Sequence, residues 1–203
     1  MPYPRFSLVI AAVAALVGLP AQASIISTFD DDADGWTVIN DATTYHEASG
    51  GNPGGYLRYH DHATGITFRA GAPDKFLGDL GAYDGGTLSF DARLEYGSGR
   101  YLSGFGETTF RSSAGDVTLD LAPDDPVDQW QTWSAPLTAS AWGVSEAQWD
   151  SVLADVTGLE IRLEAIYGNE DVGLDNVALV PEPATAMLLT GLALPLLWRR
   201  RRA

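Results

Sequence analysis

Apolar and polar residues alternate along much of the chain, and a period of two predicts β-strands. The clearest case is segment 87–96, where Leu88, Phe90 and Ala92 lie on one face and charged or polar residues occupy the other. Half-polar alternation is typical of antiparallel sheets with one face in water. Further strands, bounded by Gly, Asp, Asn or Pro, are predicted at 25–29, 36–40, 56–61, 66–70, 117–121, 130–137, 159–167 and 174–180.

One segment breaks this pattern and predicts a helix at 145–156. Ser145 and Gln148 have the spacing of a capping box. Trp149, Val152 and Val156 then recur at helical spacing on one face. Many short strands with a single helix predict an all-β, antiparallel sandwich.

Both ends of the chain are apolar and differ from the body. At the front, Arg5 precedes an apolar stretch at 6–19, and Ala21-Gln22-Ala23 has the small residues of a cleavage site. This order is that of a secretory signal peptide, predicted at 1–23. Removal of 1–23 implies passage through the Sec machinery.

The C-terminal end has three parts in a fixed order. Pro181-Glu182-Pro183 is followed by an apolar stretch at 184–198 and then by Arg199, Arg200, Arg201 and Arg202. As a helix, 184–198 would span about 22 Å, which is short for a permanent membrane anchor. The arginines should remain on the cytoplasmic side, because Lys and Arg set the orientation of membrane segments.

This tail, 181–203, resembles the PEP-CTERM sorting signal of Gram-negative bacteria. The resemblance implies that a membrane-embedded exosortase recognises the Pro-Glu-Pro motif, cuts there and delivers the protein to the cell surface. The protein would therefore exist briefly as an inner-membrane intermediate before it reaches the surface or the extracellular matrix.

The body, 24–180, is strongly acidic. It holds seven Lys and Arg against 26 Asp and Glu, a net charge near −19, and the chain has no cysteine. Such a charge repels nucleic acid and anionic lipid, and disulfides and thiolate metal sites are excluded. The length suits one domain stabilised by its core or by a bound cation.

Several blocks of the body resemble a laminin IV type A (laminin B) domain. The opening is Phe29-Asp30-Asp31-Asp32-Ala33-Asp34-Gly35-Trp36; later blocks are Gly51-Asn52-Pro53-Gly54-Gly55-Tyr56, Ala72-Pro73-Asp74-Lys75-Phe76 and Gly173-Leu174-Asp175-Asn176-Val177. The resemblance implies a jelly-roll sandwich like that of galactose-binding and carbohydrate-binding modules. The cysteine-rich modules that flank it in laminins are absent from this sequence.

The acidic opening is the best candidate for a cation site. Asp30-x-Asp32-x-Asp34-Gly35 has the spacing of half an EF-hand loop, but strand-like sequence follows it, so an EF-hand is not expected. By resemblance to carbohydrate-binding modules, a structural Ca²⁺ would be held by Asp30 or Asp32 together with Asp175. The alternative is an Asp-rich turn capped by its own side chains.

Histidines and tryptophans supply two further hypotheses. His60 and His62 are two residues apart on a predicted strand and could bind zinc together with His46; the alternative is a pair of solvated side chains. Trp130 and Trp133 should point to opposite faces of a strand, one into the core and one outward.

Catalysis has little support in the sequence. There is no Gly-x-Ser-x-Gly motif and no cysteine nucleophile, and no particular pair of acids is favoured for glycoside hydrolysis. We therefore expect a non-catalytic binding or matrix module that contacts extracellular polysaccharide. The alternatives are a purely structural surface or biofilm component and a hydrolase of extracellular polymer.

Overall fold

The structure, a computed structural model, describes residues 22–62, 65 and 67–183. Most of the predicted signal peptide and the predicted apolar helix and arginine cluster of the tail lie outside this range. None of the helices in the described part is both long and apolar enough to cross a bilayer.

The described residues form eleven β-strands, one α-helix and two short 3₁₀ turns. The helix α1 spans Glu146–Leu153 and the 3₁₀ turns span Asp74–Phe76 and Gly81–Tyr83. The strands are β1 Ile25–Ser27, β2 Thr37–Ile39, β3 Ala42–Glu47, β4 Tyr56–Asp61, β5 Arg69–Gly71, β6 Thr87–Gly97, β7 Glu107–Ser112, β8 Val117–Asp120, β9 Gln131–Pro136, β10 Val156–Arg162 and β11 Glu170–Val180.

The strands make two antiparallel sheets that pack face to face. The six-stranded sheet has the order β3-β4-β11-β6-β9, with β1 added to the end of β11. The five-stranded sheet has the order β2-β5-β10-β7-β8. Neighbours in space are rarely neighbours in sequence, as in a jelly roll, so the predicted fold class is confirmed.

The core lies between the sheets and follows the predicted alternation. Leu88, Phe90 and Ala92 of β6 are fully buried against inward residues of the other sheet. Aromatic rings fill much of one end, where Trp142 stacks on Trp149 with ring centroids 5.4 Å apart and Phe110 contacts both. Trp133 is buried in the core and Trp130 is not, so these two tryptophans point to opposite faces as predicted.

The helix begins where its capping signal predicts. Ser145 has extended backbone angles, and its hydroxyl accepts the backbone N–H of Gln148 at 3.3 Å. Trp149, Val152 and Leu153 are buried, so α1 closes one end of the sandwich. Val156, predicted as the last residue of the helix, instead begins β10.

Two strands lie where the sequence pattern predicted none. Strand β3 is an edge strand, and all but one of its residues are only partly buried. Strand β7 has the sequence Glu-Thr-Thr-Phe-Arg-Ser, in which Thr108 and Thr109 are buried beside Phe110. Polar residues in both segments hide the alternation of apolar and polar positions. These segments are strands because β3 pairs with β4 and β7 pairs with β10.

The turn between β10 and β11 is closed by a buried acid. The carboxylate of Glu170 accepts the backbone N–H groups of Ala165 and Ile166 at 2.8 and 2.9 Å. Burial raises the pKa of Glu170 to about 8; the two N–H bonds oppose this rise, and the nearby charges of Asp61 and Glu164 add to it. Glu170 is therefore a group that binds a proton more tightly in the folded chain than in the unfolded chain.

We predict that stability falls as the pH rises from 6 to 8. The folded pKa of Glu170 lies above the ordinary value of 4.5, so the stabilising effect of its proton is complete below that value and is lost as pH passes through the folded pKa. The slope from this one group is at most about 1.4 kcal/mol per pH unit. Thermal melting in EGTA at fixed ionic strength measures it.

The Glu170→Gln variant should show a flatter dependence over the same interval. Glu146→Gln changes an exposed glutamate on α1 and serves as the matched control, which should keep the wild-type slope. An unchanged slope in Glu170→Gln would show that another group carries the pH dependence.

Candidate functional site

The outer surface of the six-stranded sheet combines aromatic rings with charged side chains, and we call it the polar-aromatic face. Alternation along each strand produces it, because residues between the buried ones point away from the core. Its members are Thr43, Tyr45 and Glu47 on β3, Tyr56, Arg58 and His60 on β4, Asp91, Arg93 and Glu95 on β6, Asp171, Gly173 and Asp175 on β11, and Trp130 beside β9.

Gly173 is the floor of this face. Strand register places it between Arg58 on β4 and Arg93 on β6. A Cβ atom at this position would lie 2.8 Å from both Glu95 Oε1 and Trp130 Cη2. The two larger side chains therefore fold directly over the glycine, and any other residue would push them apart.

Trp130 is fixed over this floor by contacts on three sides. Its ring packs edge-on against Tyr56 at 5.4 Å between centroids, and the guanidinium of Arg93 lies 4.6 Å from its centroid. Its indole N–H donates to the carbonyl of Gly50 at 3.0 Å. The ring stays partly exposed while Tyr56 beneath it is buried, so the face presents a preoriented aromatic surface.

A second aromatic group lies across the sheet. Tyr45 is 42% exposed, and the guanidinium of Arg58 lies 4.4 Å from its ring centroid. Arg58 also pairs with Glu47 at 2.8 Å and with Asp171 at 3.3 Å. Partial burial disfavours its charge, yet these carboxylates raise the pKa of Arg58 overall. Arg58 is thus held rigidly beneath Tyr45.

The five-stranded sheet offers no comparable surface. Its outer side carries ion pairs, in which Arg111 binds Glu160 through two hydrogen bonds of 2.9 and 2.8 Å and Arg69 lies near the same carboxylate. In the described range, no exposed aromatic side chain accompanies them. The polar-aromatic face is therefore the better candidate for binding.

One end of the face is a network of acids and amides. The Asp91 carboxylate accepts the side-chain amides of Asn52 and Asn176 at 3.0 and 2.8 Å and the hydroxyl of Thr132 at 2.5 Å. The fully buried Asp175 accepts the backbone N–H groups of Asn52 and Asn176 at 2.6 and 2.7 Å. A bulge in β11 with Asn176 in the left-handed region lets both side chains reach this network.

Asp175 is a carboxylate with a perturbed proton affinity. Burial raises the pKa of Asp175 to about 6; the N–H bonds from Asn52 and Asn176 oppose the rise, and the charges of Asp91 and Asp30 add to it. No basic side chain within the described residues pairs with it. A buried carboxylate close to two others favours either a proton or a cation.

The 51–55 loop connects Asp175 with Asp30, one of the predicted calcium ligands. Asp30 Oδ1 lies 3.4 Å from the backbone nitrogen of Gly55. Neither Gly51 nor Gly54 could carry a side chain. A Cβ atom at Gly51 would lie 2.7 Å from Asp175 Oδ2, and one at Gly54 would lie 2.0 Å from Asp30 Oδ1. The Asp30 and Asp175 carboxylates thus both lie against this loop.

Asp32 has a different environment. Its Oδ1 accepts the backbone N–H of Asp34 at 2.6 Å, which is the self-capped turn that the sequence offered as an alternative. Asp34 in turn binds Lys75 and accepts the hydroxyl of Ser27. Burial raises its pKa, but Lys75 and Ser27 lower the pKa of Asp34 overall. The carboxylate of Asp34 is thus committed to a structural ion pair.

An open cavity of about 370 Å³ lies over this turn and is lined by the acids and by Ile26, Thr28 and Phe29. In the described part of the chain, no three His, Cys, Asp or Glu side chains are placed to hold a metal by themselves. Calcium at Asp30, Asp32 and Asp175 therefore stays a prediction, which would need backbone carbonyl groups to complete its ligands.

The three histidines do not converge, although the sequence allowed them to. His46 is paired with the strand position of Leu57, on the inner side of β3, and its Nε2 lies 2.8 Å from the carbonyl of Phe29. His60 and His62 lie on the outer side, with ring centroids 5.1 Å apart. The prediction of a zinc site made by all three side chains is therefore wrong.

Sequence reasoning missed most of the polar-aromatic face. Tyr45 and Glu47 belong to the unpredicted strand β3. Arg93 was placed only among the polar residues of segment 87–96, and Arg58 was not singled out. Alternation along β4 and β6 gives the direction of Arg58 and Arg93 but does not indicate that β11 brings them together. The sequence predicted that Trp130 and Trp133 point to opposite faces but not which of them points outward. In the structure it is Trp130.

Comparison with known proteins gives a fold and no family. The chain matches no protein-family model, and no curated protein matches it. Solved structures do match. The L4b domain of human laminin alpha-2 has a TM-score of 0.57 at 11% identity, over 78% of this chain and 98% of that domain. This supports the laminin-like sandwich that the sequence blocks indicated.

Two further solved structures come from carbohydrate-active proteins. A xylan-binding domain of carbohydrate-binding module family 22 has a TM-score of 0.51 at 12% identity, over 78% of this chain and 95% of that domain. An exo-beta-agarase has a TM-score of 0.55 at 14% identity, over 76% of this chain and 24% of the agarase. At these identities the similarity establishes a shared jelly-roll fold.

Proposed function

We propose that this chain is a non-catalytic module that binds extracellular polysaccharide through the polar-aromatic face. The observation that carries the proposal is a pair of rings that solvent can reach, the partly exposed Trp130 and the exposed Tyr45. Each ring is held by an arginine that is itself paired with an acid. Sugars offer apolar C–H faces to such rings and hydroxyl groups to the flanking charged groups. The fold shared with a xylan-binding domain supports this assignment.

The ion pairs also indicate the charge of the ligand. Arg58 is bound by Glu47 and Asp171, and Arg93 by Glu95. Because both arginines are already neutralised and the body is strongly acidic, an anionic polymer would be repelled. We therefore expect a neutral polysaccharide.

Trp130→Ala should weaken binding of a neutral polysaccharide by at least about tenfold, which corresponds to about 1.4 kcal/mol. The loss follows from removal of the preoriented ring. Affinity electrophoresis of the purified protein in gels containing xylan, agarose or a β-glucan identifies the polymer. Titration calorimetry with the corresponding oligosaccharide then measures the effect.

The matched control is Tyr167→Ala. Tyr167 is 72% exposed but lies in the turn between β10 and β11, off the face. Its removal should leave affinity unchanged. Equal binding by wild type, Trp130→Ala and Tyr45→Ala would place the ligand elsewhere. No binding to any polymer would favour the purely structural surface component, and turnover of the polymer would favour the hydrolase.

We also propose that Asp30 and Asp175 hold a structural calcium ion against the 51–55 loop. Two carboxylates and nearby carbonyl groups are the ligands that calcium prefers, and the ion would supply the positive charge that the buried Asp175 lacks. Asp32 is the weaker candidate of the three predicted ligands, because its carboxylate caps its own turn.

Calcium should raise the melting midpoint, and EGTA should lower it. A ligand at about 100 times its dissociation constant stabilises by about 2.7 kcal/mol, which corresponds to roughly 5–10 °C for a domain of this size. Asp175→Asn should abolish the difference between calcium and EGTA, whereas Asp32→Asn should retain it. If EGTA leaves the melting midpoint of the wild type unchanged, the proposal of structural calcium is contradicted.

Finally, we propose that the protein is exported and processed at both ends. Strand β1 begins at Ile25 and β11 ends at Val180, so cuts after Ala23 and at Pro181-Glu182-Pro183 would leave every strand intact. Exosortase processing would then release the sandwich to the surface of a Gram-negative cell.

Mass spectrometry of the protein from its native cells should find a mature chain that starts at Ser24 and lacks 184–203. Deletion of the arginine cluster should leave the C-terminal end uncut. Recovery of the full-length chain from the cytosol would contradict both the compartment and the processing.

A further inference from the structure

Two histidines lie side by side at the end of the polar-aromatic face that is opposite to the calcium candidate. Strand β4 ends at Asp61, but the backbone N–H of His62 still donates to the carbonyl of Asp41 at 3.3 Å. Residue 62 therefore continues the strand direction, and its side chain shares a face with His60. The two ring planes meet at 81° with centroids 5.1 Å apart.

Asp171 determines which nitrogen of His60 is available. His60 Nδ1 lies 2.8 Å from Asp171 Oδ1. An ionised carboxylate only accepts hydrogen bonds, so Nδ1 carries the hydrogen, and in the neutral ring the lone pair is on Nε2. A histidine that binds a metal through one nitrogen usually donates its other N–H to a carboxylate in this way.

His62 is oriented by the neighbouring strand. Its Nε2 lies 2.8 Å from the hydroxyl of Thr43 on β3, and a hydroxyl can accept a hydrogen bond from this nitrogen. Nδ1 then keeps its lone pair. Among the described residues, no hydrogen bond occupies His60 Nε2 or His62 Nδ1.

We propose that His60 and His62 form a two-histidine chelate for a divalent transition metal, with Asp171 as the residue that positions His60. Imidazole nitrogen suits Cu²⁺, Ni²⁺ and Zn²⁺, whereas Ca²⁺ and Mg²⁺ prefer oxygen. The strongly acidic body raises the local concentration of cations. Nearby Arg58 opposes this little, because Glu47 and Asp171 neutralise it.

The chelate leaves coordination positions for other ligands. His62 is exposed and the His60 side chain is 32% exposed, so water or an oxygen of a bound molecule can complete the shell. The site adjoins Arg58 and Tyr45 on the polar-aromatic face. It does not depend on glycan binding, since both ligands and the positioning residue belong to the fold itself.

Titration calorimetry with metal-free purified protein tests the chelate. The probes are Zn²⁺ and Ni²⁺, each with and without excess Ca²⁺. We expect one equivalent of Zn²⁺ or Ni²⁺ to bind and excess Ca²⁺ to leave this binding unchanged. His60→Gln and His62→Gln should each weaken it by at least about tenfold, and Asp171→Asn by about 10–100-fold.

The third histidine provides a matched control. His46→Gln removes a histidine on the inner side of β3 and keeps a donor for the carbonyl of Phe29, so metal affinity should not change. Imidazole NMR signals of His60 and His62, but not of His46, should shift with one equivalent of Zn²⁺. Circular dichroism checks that each variant is folded.

Three results would overturn the proposal. The first is no saturable binding of Zn²⁺ or Ni²⁺ by the wild type. The second is undiminished binding in folded His60→Gln and His62→Gln. The third is displacement by Ca²⁺, which would place the metal at the Asp30 and Asp175 carboxylates instead.

Discussion

The central position of β11 between β4 and β6 is the constraint on which the rest of the structure depends. The last strand of the described sandwich pairs with both neighbours and, at its end, with β1. These pairings join residues far apart in sequence, such as His60 and Asp171. The sheet therefore has the last of the described strands at its centre, and most of the polar-aromatic face lies on β11 or on the two strands beside it.

Alternation along β11 divides its side chains between two tasks. Val172 and Leu174 point into the sandwich and are fully buried. Asp171, Gly173 and Asp175 point to the other side, where they orient a histidine, make room for Trp130 and join the buried acid network. A shift of register by one residue would exchange the two sets and destroy the core and the face together.

The excess of acids is accommodated by two different means. On the surface, Arg58, Arg93 and Arg111 each pair with carboxylates. Inside, Glu170 and Asp175 accept backbone N–H groups and have raised pKa values, because burial outweighs those bonds. A chain without cysteine thus depends on its aromatic core and on the backbone N–H groups that its buried acids accept.

The sequence by itself determined the fold class, the clear strands β4 and β6, the start of α1 and the opposed directions of Trp130 and Trp133. These follow from local periodicity and capping, which neighbouring residues encode. The resemblance also suggested Asp30 or Asp32 together with Asp175 as calcium ligands. The Asp30 and Asp175 carboxylates both lie against the 51–55 loop, and calcium there stays a prediction. The sequence could not show that His46 lies apart from His60 and His62, because the polar residues of β3 concealed that strand.

Only the tertiary structure decided the site. No sequence motif marks Tyr45, Arg58, Gly173 or Arg93. They form one surface only because β3, β4, β11 and β6 lie side by side. The order of strands in a sheet depends on packing between distant segments, which local patterns do not specify. Alternation along the chain therefore determines which side of a strand a residue occupies, whereas the pairing of strands determines its neighbours.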